Sequence, residues 1–135
     1  VEVYDKVMKN YQYPSTPSLS HYYALDYQLD RILAEGLENR FARHIAMAER
    51  VRAWAEQYFA LFSDKRYLSN TLTTIANTRE ISVADLNKAL ATRGFEISNG
   101  YGDLKEKTFR IAHMADCTMD DINNVLKNIE EVLGL

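Results

Sequence analysis

The 135-residue sequence is poor in several features that would point to particular classes of protein. It has a single cysteine, Cys117, only five glycines and two prolines. One cysteine allows no internal disulfide and fits a reducing compartment. No apolar run approaches the ~18 residues of a membrane span, and no signal peptide is visible. Since 47% of the residues are hydrophobic and 26% charged, the sequence predicts an ordered, soluble, cytoplasmic protein.

Basic charge and local catalytic motifs are also lacking. The net charge of −3 argues against a nucleic-acid binder, which would carry a basic excess. His21, His44 and His113 show no metal-ligand spacing, and one cysteine cannot complete a zinc site. No nucleophile elbow occurs, and no glycine-rich loop precedes a helix as a phosphate-binding loop does. Local motifs therefore predict no metal and no catalytic residue.

The pattern of apolar residues predicts an α/β protein of one domain. Helical spacing runs from Ser18 or Ser20 to Gly36, and from Leu37 to about Phe62. A short helix follows Ser82, and a last helix extends from Thr118 to Gly134, with cap residues at each start. Thr71 to Thr78 is dense in β-branched residues and predicts a strand.

A hairpin is predicted from Phe95 to Met114. Residues 95–98 and 108–114 alternate between apolar and polar, and the glycine-bearing segment 99–103 between them is typical of a turn. The alternation places Arg110 on the face opposite Phe109 and Ile111. With the second hairpin strand between the other two, we expect a small three-stranded, mostly antiparallel sheet with helices packed on one face.

Two features of this pattern have both an ordinary and a functional reading. Arg110 is either a ligand clamp or a surface arginine paired with a carboxylate such as Asp103 or Glu106; residues 105–107 are expected to face solvent. The segment from Tyr11 to Ser18, with its two prolines, is either a stiff connector or a loop that presents hydroxyl groups.

The hairpin also carries a family resemblance. Its Glu96-Ile97 pair, its Gly100/Gly102 loop and the run Lys107-Thr108-Phe109-Arg110-Ile111 followed by His113-Met114 resemble the C-terminal end of class V aminotransferases. These are pyridoxal-phosphate enzymes of fold type I, here of the alanine–glyoxylate and serine–pyruvate branch. The resemblance extends from about Tyr13 to Leu135, and the chain departs from it in having Ala112 and Ala115 where the family often has glycine.

The resemblance implies roles for three residues. Arg110 would grip the substrate α-carboxylate. Tyr13 and Thr16 would bind the phosphate of pyridoxal 5'-phosphate held by the other subunit of a homodimer. Residues 1–18 would be a lead-in segment with the proline loop, and residues 19–135 the small C-terminal domain. The implied substrates are a small amino acid and a 2-oxo acid such as pyruvate or glyoxylate.

The same resemblance implies that the chain is inactive by itself. No lysine here matches the family's Schiff-base lysine, which lies on a large domain upstream, so this segment would hold no catalytic residue. The start at Val1, without methionine, likewise predicts a fragment or a processed product. The alternative is a stand-alone, non-catalytic α/β module that binds a small ligand or another protein.

Overall fold

The computed structural model describes residues 2–135 and forms two compact units. One unit ends at Leu37, and the other spans Glu38–Leu135. The predicted boundary between residues 18 and 19 stays a prediction. Each unit is described below by itself.

The first unit contains two helices joined by the proline loop. Helix α1 is Glu2–Met8 and helix α2 is Leu19–Glu35. Gly36, with a positive φ of 83° that favours glycine, ends α2 at the position the sequence predicts. Neither helix contains a buried residue. The predicted apolar stripe of α2 therefore faces solvent at Tyr22, Leu25, Leu29 and Leu33.

The second unit alternates helices with short strands. Its elements are α3 (Leu37–Tyr58), β1 (Ala60–Leu61), β2 (Leu72–Ala76), α4 (Val83–Ala91), β3 (Ser98–Asn99), β4 (Thr108–Ala112) and α5 (Met119–Leu133). Single 3-10 turns lie at Lys65–Tyr67 and Gly102–Leu104.

The helix starts lie where the capping residues predict them. The Ser82 hydroxyl accepts a hydrogen bond from the Asp85 N–H at the start of α4. Thr118 and Asp121 form a reciprocal capping box at the start of α5, and Gly134 ends that helix in the left-handed conformation. These short-range bonds satisfy backbone groups that a helix end leaves without partners.

The four strands form one antiparallel sheet in the order β1-β2-β4-β3. Strand β4 lies between β2 and β3 and runs antiparallel to both, as predicted. The predicted count of three strands is wrong, because β1 adds a fourth at the edge, with Ala60 opposite Ala76. The sequence interpretation continued α3 to about Phe62. The helix instead ends at Tyr58, and β1 follows it. A strand of two residues is too short to show the alternating pattern that predicts a strand.

One hydrophobic core joins the sheet to its helices. Ile75, Phe109 and Ile111 are buried on one face of β2 and β4. They cluster with Trp54 and Val51 of α3 and with further buried residues of α4 and α5, which are Val83, Leu86, Leu90, Ile122, Val125, Leu126 and Ile129. The side chains of alternate residues in β4 therefore point away from this core.

Candidate functional site

Arg110 occupies the middle of the central strand β4. Its neighbours across the sheet are Thr74 of β2 and Ser98 of β3. Phe109 and Ile111, on either side of it in the chain, are buried, whereas Arg110 is only partly buried. The predicted alternation is confirmed, and the arginine lies on the sheet face opposite the core.

The guanidinium of Arg110 has fewer partners than its burial demands. Nη2 donates one long hydrogen bond, 3.4 Å, to the carbonyl oxygen of Asn99. Nε is buried and has no hydrogen-bond partner. Within residues 2–135 no carboxylate forms an ion pair with this arginine, so the predicted alternative of a pair with Asp103 or Glu106 is wrong. A buried donor without an acceptor is costly. The terminal Nη groups, which make one long hydrogen bond, can donate further N–H groups to a carboxylate.

An aromatic ring covers one side of this arginine. Cζ of Arg110 lies 4.1 Å from the centroid of the Tyr101 ring, which is within the range of a cation–π contact. Tyr101 belongs to the glycine loop between β3 and β4, and 75% of its surface remains exposed. The sequence interpretation gave Tyr101 no role, because a contact between a loop residue and a strand residue nine positions later has no periodic signature.

Glycines shape the loop for two different reasons. A Cβ on Gly100 would overlap the carbonyl oxygen of Leu104 and would come within 2.6 Å of Thr108 Oγ1, so this position has no room for a side chain. Gly102 has open space around it but a φ of +51°, which disfavours other residues. The close turn lets the Gly100 N–H donate to the Thr108 carbonyl at 2.9 Å. It also leads directly into Tyr101.

Glu106 fixes the other side of the loop. The sequence interpretation placed it in solvent with Lys105 and Lys107, but its carboxylate is partly buried. Oε2 accepts from the backbone N–H of Val83 at 2.7 Å, and Oε1 accepts from the side-chain amide of Asn99. The loop is therefore tied to the start of α4.

His113 anchors the end of β4 inside the protein. Its side chain is fully buried; Nδ1 lies 3.1 Å from the Asn70 carbonyl oxygen and Nε2 lies 2.8 Å from Thr73 Oγ1. A carbonyl can only accept, so Nδ1 carries the proton and Nε2 accepts from the hydroxyl. Burial lowers the pKa of this imidazole, and the hydrogen bond to Asn70 opposes that shift.

Tyr13 and Thr16 lie in the exposed proline loop of the first unit. Tyr13 keeps 69% of its surface exposed, and Thr16 is also exposed. Neither hydroxyl forms a hydrogen bond within residues 2–135. Two unengaged hydroxyl donors three residues apart are the chemistry that phosphate oxygens accept, so this loop fits the phosphate of the implied cofactor. Tyr13 and Thr16 belong to the first unit and Arg110 belongs to the second. Each residue is therefore described within its own unit.

Other kinds of site are not found in the described part of the chain. No group of three or more His, Cys, Asp or Glu residues among residues 2–135 is arranged to hold a metal ion. In the same range, no helix has the length and apolar character needed to cross a membrane. Lys105 and Lys107, next to the glycine loop, are both exposed.

Comparison with known proteins yields several relatives that are named aminotransferases. The chain is 34% identical over 124 residues to an uncharacterized aminotransferase of Methanocaldococcus jannaschii, and the match covers 90% of this chain and 32% of that protein. It is 35% identical over 109 residues to the L-aspartate–glyoxylate aminotransferase of Paracoccus denitrificans, with 78% of this chain and 28% of the relative covered.

A solved structure extends the similarity to the fold. The crystal structure of pyridoxamine–pyruvate aminotransferase from Mesorhizobium loti superposes with a TM-score of 0.81 at 27% identity, covering 90% of this chain and 32% of that one. No family model matches the sequence. The chain spans about a third of the length of the curated relatives it matches.

Proposed function

The chain is a homologue of class V aminotransferases, and from this premise we propose that it is the small C-terminal domain of a pyridoxal-phosphate enzyme. The proposed reaction exchanges an amino group between a small amino acid and a 2-oxo acid such as pyruvate or glyoxylate. Relatives whose names include glyoxylate or pyruvate support this choice of acceptors. The proposed intact protein is a cytoplasmic homodimer in which a large domain accompanies the present chain.

The observation that carries the proposal is the incomplete hydrogen bonding of Arg110. Its buried Nε has no partner, and its only hydrogen bond among residues 2–135 is the long one to Asn99. A planar guanidinium with free in-plane donors matches a carboxylate in two parallel hydrogen bonds. Arg110 therefore binds the α-carboxylate shared by the amino acid and the 2-oxo acid, and it fixes the orientation of both.

The cofactor would be held by residues of two subunits. Tyr13 and Thr16 would donate their hydroxyl groups to the phosphate of pyridoxal 5'-phosphate in the neighbouring subunit. When bound, this cofactor supplies the electron sink for amino-group transfer. The present chain contributes binding and orientation, whereas the lysine that attaches the cofactor would come from the large domain. The isolated chain is therefore expected to be inactive.

Substitution of Arg110 in the full-length enzyme tests the proposal. Arg110→Lys keeps the positive charge but loses the planar fork. Loss of one partner from a desolvated pair costs roughly 2–5 kcal/mol, so we expect kcat/KM for amino acid and 2-oxo acid to fall on the order of a hundredfold or more. Cofactor binding should be nearly unchanged, because the phosphate is assigned to other residues.

A matched control is available on the same unit. Arg93 is an exposed arginine that pairs with Glu131 at 2.7 Å, with no proposed role in substrate binding. Arg93→Lys should leave kcat/KM within about twofold of wild type, since exposed ion pairs contribute about 1 kcal/mol or less. Near-wild-type kcat/KM for Arg110→Lys would contradict the proposed function.

A further inference from the structure

Tyr101 and Arg110 meet in a defined geometry although Tyr101 lies largely outside the protein. The guanidinium carbon is 4.1 Å from the ring centroid, while 75% of the tyrosine surface is exposed. An exposed tyrosine on a loop has many alternative positions. Its position against the charged group of the proposed carboxylate site therefore bears on ligand binding rather than on the core.

Tyr101 and a ligand carboxylate would contact different parts of the Arg110 guanidinium. Cζ of Arg110 lies over the face of the Tyr101 ring. A guanidinium stacks on aromatic faces, and its five N–H donors lie in its own plane. A contact on the face leaves the Nη N–H donors that have no hydrogen bond free for a carboxylate. It also restricts rotation of a long side chain that is otherwise held by one 3.4 Å hydrogen bond to Asn99.

The local backbone supports this contact. Gly100 has no room for a Cβ, and Gly102 has a positive φ, so Tyr101 stands between two residues that shape the turn. The Leu104 N–H donates to the Tyr101 carbonyl at 3.0 Å, which closes the turn that follows. The loop thus holds the backbone of Tyr101 on both sides, and the side chain alone connects it to Arg110.

We infer that Tyr101 is a positioning residue for carboxylate substrates, which holds the Arg110 guanidinium by covering one face and leaves its in-plane donors open. The inference rests on the proposed function, because it takes Arg110 as the carboxylate-binding group. It assigns the effect to the aromatic ring rather than to the hydroxyl. Tyr101 thereby acts on affinity for the carboxylate through Arg110.

The test measures carboxylate binding in the full-length enzyme with propionate as the probe. Propionate carries a carboxylate but neither an amino nor an oxo group, so its inhibition constant, measured in competition with the 2-oxo acid, reports the clamp alone. We expect Tyr101→Leu to raise this constant about three- to thirtyfold, in line with the strength of cation–π contacts. Tyr101→Phe, which keeps the ring, should stay within about twofold of wild type.

Three further measurements separate positioning from a structural role. Tyr101→Leu should raise KM for the 2-oxo acid more than it lowers kcat, and it should leave the thermal midpoint within a few degrees of wild type because the side chain is exposed. In the Arg110→Lys background, Tyr101→Leu should add no more than about a twofold loss, since the two residues act as a unit.

The outcomes distinguish this inference from the proposed function. If Arg110→Lys weakens propionate binding while Tyr101→Leu does not, the inference fails and the proposed function stands. If neither variant changes the inhibition constant, the proposed function itself fails. Equal losses in the Leu and Phe variants, or fully additive losses in the double variant, would also overturn the role of the ring.

Discussion

Asn99 and Glu106 are joined by two hydrogen bonds that run in opposite directions across the hairpin loop. The Glu106 backbone N–H donates to Asn99 Oδ1 at 2.9 Å, and the Asn99 side-chain amide donates to Glu106 Oε1. The second carboxylate oxygen accepts from the N–H of Val83, the first residue of α4. Arg110 donates a hydrogen bond to the Asn99 carbonyl. The Asn99–Glu106 pair therefore fixes the loop residue that the arginine contacts.

This arrangement predicts that Glu106→Gln destabilises the protein although it barely changes the size of the side chain. The two carboxylate oxygens accept from two donors, and a glutamine amide offers only one oxygen. Its NH₂ group would face either the Asn99 amide or the Val83 N–H, both of which are donors. We expect the free energy of unfolding to fall by about 1–3 kcal/mol, measured by urea denaturation at an unchanged m-value.

Asp103→Asn is the matched control for that measurement. Asp103 lies in the same loop, is exposed, and undergoes the same change from carboxylate to amide. Its effect on the free energy of unfolding should stay within about 0.5 kcal/mol. Equal small effects at both positions would show that the Glu106 hydrogen bonds contribute no net stability.

Much of the fold could be predicted from the sequence because its signals are local. Ser82 and Thr118 precede helices that they cap through bonds to residues three positions away, and Gly134 ends the last helix in the left-handed conformation. The alternation around Arg110 correctly separates core from outer face. In contrast, β3 begins at Ser98 rather than at Phe95, because pairing with β4 is set by the partner strand and not by the alternating residues themselves.

The surroundings of Arg110 could not be predicted in the same way. Glu106 stands between two lysines and is typical of a solvated loop by composition, yet it bonds to Val83, which lies 23 residues earlier. Tyr101 likewise meets Arg110 only because of how the loop closes. Such contacts depend on tertiary structure, and a single sequence contains no periodic or motif signal for them.

The buried His113 predicts a pH dependence of stability. Burial lowers the pKa of its imidazole in the folded protein, whereas in the unfolded chain the pKa should be near its ordinary value of about 6.5. Below about pH 6.5 the unfolded state therefore binds more protons than the folded state. The stabilisation is present above that pH and is lost as the pH falls through the folded-state pKa, with a slope of at most about 1.4 kcal/mol per pH unit.

The free energy of unfolding, measured between about pH 5 and 7 to limit carboxylate titration, checks this dependence. In His113→Gln the slope in this range should become flatter, because the titrating imidazole is gone, while stability at pH 7 falls through lost packing. His21→Gln, which removes an exposed histidine of α2, provides the control. A His113→Gln slope as steep as that of wild type would assign the pH dependence to other groups.

The proline loop predicts an effect on cofactor retention that differs from the effect at Arg110. Tyr13 and Thr16 are exposed, and their hydroxyls have no partner within residues 2–135, so Tyr13→Phe and Thr16→Ala should cost the present chain little stability. In the proposed full-length dimer each substitution would remove one hydrogen bond to a charged phosphate. Such a bond contributes about 1.5–3 kcal/mol, so the Kd for pyridoxal 5'-phosphate should rise roughly ten- to a hundredfold.

Absorbance titration of the apoenzyme with pyridoxal 5'-phosphate measures this Kd, and Ser15→Ala controls for the loss of a hydroxyl from the same exposed loop. Activity of the Tyr13 and Thr16 variants should largely recover at saturating cofactor, because the substrate carboxylate is assigned to Arg110. Arg110→Lys should show the reverse pattern, with cofactor retained and kcat/KM low at any cofactor concentration. If Tyr13→Phe and Thr16→Ala bind the cofactor as tightly as Ser15→Ala and wild type do, then the loop is only a connector, and the phosphate must be held by other residues.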